Sequence, residues 1–591
     1  MKEKKQREWK LRTDSTIRIR ETPEFLELLR VTGLSQVTLQ VCWNRGLRTP
    51  ETIREFFSPR FEHIQSPFTI KDMALTVERV IEAYNKKEKV RIFGDYDVDG
   101  TCGAALLYRV LTEFGINVDV KQPDRFKDGY GLNSGAIDEA VSDGVQLLIT
   151  VDCGISSFSA IENANAHRLP VIIMDHHQID GVRGLPQAYA ILNPQRADCE
   201  SGLKQLCGAG VAFYFCMGLR AEFRELGLLG DASALPNLKQ HLDLVTIATA
   251  ADQVPLTGVN RVFVKQGLDI LKQSTKPGVK ALMEVTGLTK RDLSPGHLGF
   301  TLGPRINASG RLSSAKSALD LLTTDSLEIA YKLAREIETL NEDRTHLQNE
   351  IWDQVQLVIE KGLKEGKFQH GILVGSPDWH EGVIGIVASR VCEKYHKPCG
   401  ILSMREDLAK GSARTFSGRD VLSALTKCSG LLLGFGGHRH AAGFSLKNEN
   451  LEALQVAFDD ACMALIADDT KGALIVEGEA GLEEFSERTL EQLEQMAPFG
   501  NGNPEPVFVI TAKVKNKRVM KERHLKLSLS PVGSTSKQTM EAVWFHQADI
   551  PFDSLNEAGD ASFAGVPELN RFLGRSTPNF RIRDIRRLSK S

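Results

Sequence analysis

The stretch Lys89-Val90-Arg91-Ile92-Phe93-Gly94-Asp95-Tyr96-Asp97-Val98-Asp99-Gly100 decides how this chain is read. The apolar run Val90 to Phe93 predicts a strand that ends at Gly94. Three aspartates then alternate at Asp95, Asp97 and Asp99. Small residues (Gly100, Thr101, Gly103, Ala104, Ala105) lead on into Leu106 and Leu107, the start of a helix. Strand, acidic turn and helix place the carboxylates at the carboxyl end of a strand, where open α/β sheets bind ligands. Like charges this close repel one another. Two readings follow: a cation sits among them, or they form a solvated acidic turn that caps the helix.

Outward from this stretch, Ala74, Val77, Val80, Ile81 and Ala83 favour one side of a helix over 71–86. Further strands are expected at 116–120, 147–151 and 170–174. Helical segments between them predict a mostly parallel sheet. The second strand leads to Pro123-Asp124-Arg125, the third ends in Asp152-Cys153-Gly154, and the fourth ends in Asp175-His176-His177. The apolar segment Leu242 to Ala251 ends at Asp252. Four separate segments thus put carboxylates or histidines just beyond apolar runs, with no matching set of Lys and Arg. Charges gathered at a sheet edge need pairing, hydration or metal. Cys153 reads as a packing residue, because a hard cation prefers oxygen.

Residues 303–311, Gly-Pro-Arg-Ile-Asn-Ala-Ser-Gly-Arg, read as a polar loop. From Ala315 to about Leu363 the chain is charged and helical. Its apolar stripe through Leu319, Leu333, Ile337, Ile351 and Val355 fits either one long connecting helix or a packed hairpin. A second α/β unit begins near 368. It has strands at 371–374 and 400–403, the run Asp378-Trp379-His380-Glu381-Gly382, Ser412 and Arg414 in a polar segment, and Gly436-Gly437-His438. Glycine lets backbone approach a ligand, and Arg and His form charge-assisted bonds to phosphate. After the turn Gly500-Asn501-Gly502-Asn503-Pro504, strands are expected at 506–515, 524–530, 540–546 and 579–586. Lys513, Lys515, Lys517, Arg518, Lys521, Arg523 and Lys526 form one basic cluster there, and seven Arg and Lys residues from Arg571 to Lys590 form another. Short strands with basic residues suggest a small barrel that holds single-stranded nucleic acid. Phe508, Trp544, Phe545, Phe572 and Phe580 include candidates for stacking on bases, with at least half of them expected in the core.

A length of 591 residues is enough for about four domains. We expect five segments: an N-terminal helical cap at 1–70, a catalytic domain at 71–314, a connecting helical region at 315–365, a substrate-binding domain at 366–470 and a barrel at 471–591. No run of 18 apolar residues occurs, so no membrane span is expected. The basic start lacks the apolar core of a signal peptide. Ten cysteines without zinc-like spacing suggest reduced thiols and a cytoplasmic setting. The net charge of −3 does not exclude nucleic acid, because the basic residues are clustered. Lys410-Gly411-Ser412 lacks the upstream glycine of a P-loop, and no glycine fingerprint marks a Rossmann redox enzyme.

Taken together, these motifs resemble the DHH phosphoesterase superfamily. Asp175-His176-His177 matches its defining tripeptide, and Asp95, Asp97, Asp99 and Gly100 match its first motif. Asp152-Cys153-Gly154 and Asp252 match two more, and 303–311 matches a Gly-Pro-Arg-Ile-Asn-Ala-x-Gly-Arg segment. His380-Glu381-Gly382 and Gly436-Gly437-His438 match the superfamily's associated C-terminal domain. The similarity runs from roughly 75 to 590 in family order. Gln253 and Arg439 depart from the usual wording, and residues 1–70 are not diagnostic.

The resemblance implies an α/β fold: a mostly parallel sheet core, a long connecting helix, a second α/β domain and an OB-like barrel. It implies a single-strand-specific exonuclease that uses two divalent cations, Mn²⁺ or Mg²⁺. Such cations sit about 3.5–4 Å apart and clamp the attacking and leaving oxygens. The implied ligands are Asp97, Asp99, Asp152, His176 and Asp252, with Asp152 as bridge and Asp95 beside or among them. His177 and Asp175 would orient the site or contact phosphate. Arg125, Ser412 and Arg414 are the implied contacts to a 5′ phosphate. Arg305 and His438 would hold the neighbouring backbone, with Asn307, Arg311 and His380 completing the substrate set. The implied product is mononucleotides, in DNA repair and recombination, alongside a helicase and a single-strand-binding protein. The implied state is a monomer. Two rivals are a small-substrate phosphatase or oligonucleotidase and a non-catalytic single-strand-binding scaffold.

Overall fold

In the computed structural model, the described residues are 7–13, 19–125, 127, 129, 131–312, 315–416, 418–465, 473–532, 539–548, 560–572 and 574–587. The chain divides into two units, one of 65–254 with 266–471 and one of 1–64 with 255–265 and 472–591.

The larger unit holds two sheets. The first contains β1 (Val90–Gly94), β2 (Val118–Lys121), β3 (Leu147–Val151), β4 (Val171–Met174) and β5 (Ala190–Leu192), in the order β2-β1-β3-β4-β5 and all parallel. Every residue of β1, β3 and β4 is buried, which is why they read as near-continuous apolar runs. The order reverses between β1 and β3, and there the carboxyl ends of neighbouring strands open a crevice. Helices α1 (Met73–Lys86), α2 (Val98–Glu113), α3 (Gly208–Glu225) and α4 (Leu242–Ala251) belong to the same layer system, and α2 packs on both α3 and α4. Asp252 therefore arrives from a helix end, while the other acidic motifs leave strands.

The polar loop expected at 303–311 is a helix, α5 (Gly303–Leu312). It runs on directly from a π-helical turn at Leu298–Leu302, so Pro304, which has no N–H to give, falls where the regular ladder is already interrupted. The helical region after it is divided. Lys316–Thr323 forms a short helix, the chain extends at Thr324, and α6 (Leu327–Lys364) then runs for 38 residues. Ala330, Ala334 and Ile337 are buried in the first half of α6. Ile351, Trp352, Val355 and Ile359 in the second half enter the core of the next domain. That domain holds β6 (Ile372–Ser376), α7 (Ile384–Tyr395), β7 (Cys399–Arg405), β8 (Leu408–Arg414), β9 (Gly434–His438) and β10 (Ala441–Lys447), in the sheet order β9-β10-β8-β7-β6. Ser412 and Arg414 thus lie on a strand, not in an irregular polar segment, and Ser412 is in register with Gly443.

In the smaller unit, the short strand Trp9–Leu11 pairs in parallel with β11 (Leu474–Val476). The remaining strands are β12 (Gly478–Glu479), β13 (Phe508–Met520), β14 (His524–Pro531), β15 (Met540–Trp544), β16 (Asp560–Phe572) and β17 (Arg575–Arg587). Pairing of β13 with β16 closes a five-stranded OB-like barrel. The strand β16 had no expectation in the sequence. N-terminal Phe25, Leu28, Val37, Leu39 and Val41 share one core with barrel residues Phe508, Ile510, Leu527, Phe563 and Phe580.

All ten cysteines are buried free thiols. Among the described residues, no helix is long and apolar enough to cross a membrane.

Candidate active site

The register of the parallel sheet assembles the site. Gly94 at the end of β1 pairs with Val151 at the end of β3, and Val151 pairs with Met174 at the end of β4. The next residue in each strand continues the ladder: Asp95 N–H donates to Val151 O (3.2 Å), Asp152 N–H to Met174 O (2.9 Å) and Asp175 N–H to Leu192 O (3.0 Å). Three acids therefore stand side by side. Gly100 makes the first turn possible, because a Cβ there would lie 2.4 Å from Asp95 O. Asp97 caps α2, its Oδ1 accepting from Asp99 N–H (2.9 Å) and Gly100 N–H (3.1 Å). The capping and cation readings of this turn are thus compatible.

His176 Nε2 lies 3.1 Å from Asp152 Oδ1, 3.6 Å from Asp99 Oδ2 and 3.8 Å from Asp252 Oδ2. Ligand-capable atoms fall into three overlapping groups, each within 4.8 Å: Asp152, His176 and His177; Asp99, His176 and Asp252; Asp95, Asp97 and Asp152. All six residues expected as metal ligands are in these groups. Burial and then Asp97 push Asp95 well above the usual carboxylate range, and burial and then Asp99 do the same to Asp152. Burial raises Asp99 against the pull of His176, and burial, Asp99 and Asp97 bring Asp252 up to about 8. Buried acids in this state need a positive partner to stay ionised. Asp95 Oδ1 is also buried with no hydrogen-bond partner among the described residues. Hard oxygen donors with one imidazole suit Mn²⁺ or Mg²⁺, so the donor set fits a divalent cation.

Asp175 plays a different part. Its Oδ1 accepts from the N–H groups of His176 (2.7 Å) and His177 (3.1 Å), and its Oδ2 accepts from Ile155 N–H (3.0 Å). His177 Nδ1 lies 2.8 Å from Asp175 Oδ1. Burial opposes protonation of His177, but the Asp175 carboxylate overcomes it and carries the imidazole up to about 9.

A pocket of about 220 Å³ is lined by Tyr96, Arg125, Glu381, Gly385, Lys410 and Ser412, among others. Arg414 donates from Nη1 to Ser412 Oγ (2.9 Å). Burial and the neighbouring guanidiniums of Arg125, Arg344 and Arg414 hold Arg311 down to about 10. Burial lowers His380 and His438 as well; Arg125 adds to the first, and His440, Arg414 and His177 add to the second. Arg125, Arg311, Arg414, Ser412, His380 and His438 are thus electrostatic or lining neighbours. Arg305 is not placed with them. Its guanidinium forks onto Glu338 of α6 (Nη2 to Oε1, 2.8 Å) and donates to Thr301 O (2.8 Å). Asn307 lies half-buried on α5.

Model matches follow the same partition. The DHH family N-terminal domain matches residues 89–249, the DHHA1 domain 366–464 and the RecJ OB domain 476–584. The single-stranded-DNA-specific exonuclease RecJ of Escherichia coli is 36% identical over 520 residues, covering 86% of this chain and 89% of its own length. The chain belongs to the RecJ family. The RecJ of Bacillus subtilis is 32% identical over 547 residues, covering 91% of this chain and 66% of its own. A crystal structure of Thermus thermophilus RecJ in complex with Mn²⁺ superposes with a TM-score of 0.80 at 25% identity, over 99% of this chain and 80% of that one. A second RecJ structure, bound to manganese, gives 0.58 at 30% identity, over 69% of this chain and 98% of that one.

Sequence reading missed several members of this RecJ-family site. Lys410 pairs with Glu381 (3.1 Å) in the pocket wall. Fully buried Asn193 donates from Nδ2 to His177 O (3.0 Å). Lys410 stands two residues before the expected contact Ser412, but it was quoted above only to exclude a P-loop; Asn193 lies beside no motif used above, and only tertiary contact reveals it.

Phe508 and Phe580 are fully buried core residues, Phe545 is 46% exposed, and the Phe572 side chain lies outside the described residues. Many of the basic residues are paired: Lys513 with Asp560, Lys526 with Glu541, Arg571 with Glu494, Arg581 with Glu505 and Glu568, and Arg583 with Glu505. Lys515, Arg518, Lys521 and Arg523 stay exposed along and beyond β13.

Proposed function

We propose that this protein is a metal-dependent exonuclease that degrades single-stranded DNA from the 5′ end to mononucleotides. The observation that carries the reading is the convergence of Asp99, Asp152 and Asp252 on His176 Nε2, at 3.6, 3.1 and 3.8 Å. Similarity to relatives named single-stranded-DNA-specific exonucleases supports the substrate.

Asp95, Asp97, Asp99, Asp152, His176 and Asp252 would hold two divalent cations, with Asp152 shared. When bound, such cations polarise the phosphoryl group and ease deprotonation of the attacking water. Asp175 acts through His177, fixing the ring by the 2.8 Å contact between its Oδ1 and His177 Nδ1, so that the imidazole is oriented beside the cation site. Arg125, Ser412 and Arg414, with Arg311 behind them, bind the terminal 5′ phosphate by charge-assisted bonds. His380, His438 and Asn307 orient the adjoining backbone. Arg305 braces α5 against α6 through Glu338. The exposed lysines and arginines at 515–523 hold the strand farther along. Action with a helicase and a single-strand-binding protein in cytoplasmic DNA repair, as a monomer, belongs to the same proposal.

Single-stranded DNA and RNA labelled at either end, incubated with Mn²⁺, Mg²⁺ or chelator, test this reading. Mononucleotides should leave the 5′ side of DNA only when metal is present. Release from the 3′ side, or cleavage confined to dinucleotides, would overturn it.

A further inference from the structure

Helix α3 begins without a side-chain cap. Its leading amides instead reach a carboxylate from a distant part of the chain. Gly208 N–H donates to Asp99 Oδ2 (2.6 Å) and Ala209 N–H to Asp99 Oδ1 (2.9 Å). Both oxygens of Asp99 are thereby fixed, at the end of a helix where negative charge is favoured. The same Gly208 lies against Asp152. A Cβ on residue 208 would sit 2.7 Å from Asp152 Cβ, 2.9 Å from its Cα and 3.1 Å from its N. Asp152 has little freedom to yield, because its N–H is bound to Met174 O and its backbone is left-handed at φ 61°.

We propose that Gly208 is a positioning residue for the cation pair. Its amide orients Asp99, and its lack of a side chain lets α3 seat directly on Asp152. This rests on the cation-binding reading given above. Adding a methyl group at 208 drives α3 back by about 0.7 Å to reach ordinary contact. That movement stretches both amide bonds to Asp99 and frees two ligands at once. Gly210 provides the control. It lies two residues further along the same first turn, and the nearest atoms to a Cβ there would be those of the flexible Leu206 side chain (3.1 Å) and Cys207 Sγ (3.7 Å).

The experiment titrates Mn²⁺ into the metal-free full chain and counts bound ion by electron paramagnetic resonance, with no substrate present. Wild type and Gly210→Ala should bind alike within about twofold. Gly208→Ala should bind at least about tenfold more weakly, the range for residues that orient metal ligands. Its circular dichroism without metal should match wild type. Equal binding by Gly208→Ala, or equal loss in Gly210→Ala, overturns the inference while leaving the cation site intact. Absence of binding by wild type overturns the cation reading and this inference with it. Should Gly208→Ala fail to fold, hydrogen exchange on wild type decides. Mn²⁺ should slow the amides of 208 and 209 at least tenfold more than those in later turns of α3, and no difference overturns the proposal.

Discussion

Asp152 places its Oδ1 3.1 Å from His176 Nε2 while holding a left-handed backbone, φ 61°. A non-glycine residue in that region is strained, by about 1–3 kcal/mol, and here it also buries a carboxyl among other carboxyls. Asp152→Asn should therefore lower cleavage at least about a thousandfold through loss of the shared metal ligand. It should also raise the melting temperature of the metal-free protein near neutral pH, because burial lifts the Asp152 carboxyl above its unfolded value and asparagine folds without the proton uptake this demands. Differential scanning fluorimetry in chelator, beside a cleavage assay, checks both signs. A melting point below wild type would contradict the account.

Metal itself should stabilise the fold. At a concentration about a hundredfold above the dissociation constant, a ligand adds about 2.7 kcal/mol. For a unit of this size that corresponds to a rise of about 3 °C in melting temperature. The rise should be smaller in Asp95→Asn, whose buried Oδ1 lacks a protein donor among the described residues.

Arg414 donates to Ser412 Oγ beside the pocket lined by Arg125 and Lys410. Arg414→Ala should abolish preference for a 5′-phosphorylated over a 5′-hydroxyl strand, raising KM for the former about a hundredfold. That matches the 2–3 kcal/mol of a charge-assisted contact. KM for the 5′-hydroxyl strand should change little. Steady-state kinetics on the two substrates separates this outcome from general damage.

Arg91 of β1 forks onto Asp119 of β2 (2.8 Å on each arm), and Lys89 also lies within 3.3 Å of Asp119. Burial raises the Asp119 carboxyl, but the two cations outweigh it and hold it below the ordinary value. The stability it contributes is present above the unfolded pKa, near 4, and is lost as pH falls through the folded value. Because Asp119 is a third exposed, the contribution is discounted to about 1 kcal/mol. Asp119→Asn should cost about that much in urea unfolding at pH 7, and the gap to wild type should close as pH falls through the lowered folded value of Asp119.

Arg518 near the end of β13 and Lys521 and Arg523 just beyond it are exposed, and the proposed function has them meet phosphates of the bound strand. Replacing all three with alanine should reduce the salt slope of single-strand binding by up to about 2, at roughly 0.7 per contact. Cleavage of short oligonucleotides should persist. An unchanged slope would assign the contacts to other residues.

The strands behind this site were legible because β1, β3 and β4 are buried on both faces, so burial wrote itself as near-continuous apolar runs, interrupted only by Arg91 and Thr150. The acids after them were legible because they closely follow those runs. Residues 303–312 misread as a loop because Gly303, Pro304 and Gly310 are punctuation in isolation. In the fold, a Cβ on Gly303 would lie 3.4 Å from Ala251 Cβ and one on Gly310 3.4 Å from Tyr96 O, neighbours that a single segment cannot announce. Strand β16 went unseen for a related reason. Gly565 and Pro567 interrupt its pattern, yet Gly565 is required where a Cβ would strike the Phe580 ring at 2.5 Å. The link between Gly208 and Asp99 spans 109 residues and has no local signature.

Helix α6 joins two cores with one uninterrupted rod of 38 residues, about 57 Å from end to end. A rod that long acts as a lever. One degree of tilt at one end displaces the other by about 1 Å, twice the roughly 0.5 Å tolerance of a productive site. Alignment between the acidic crevice and the arginine pocket is therefore a matter of bending stiffness along α6. A kink introduced at its midpoint would misregister them without touching either.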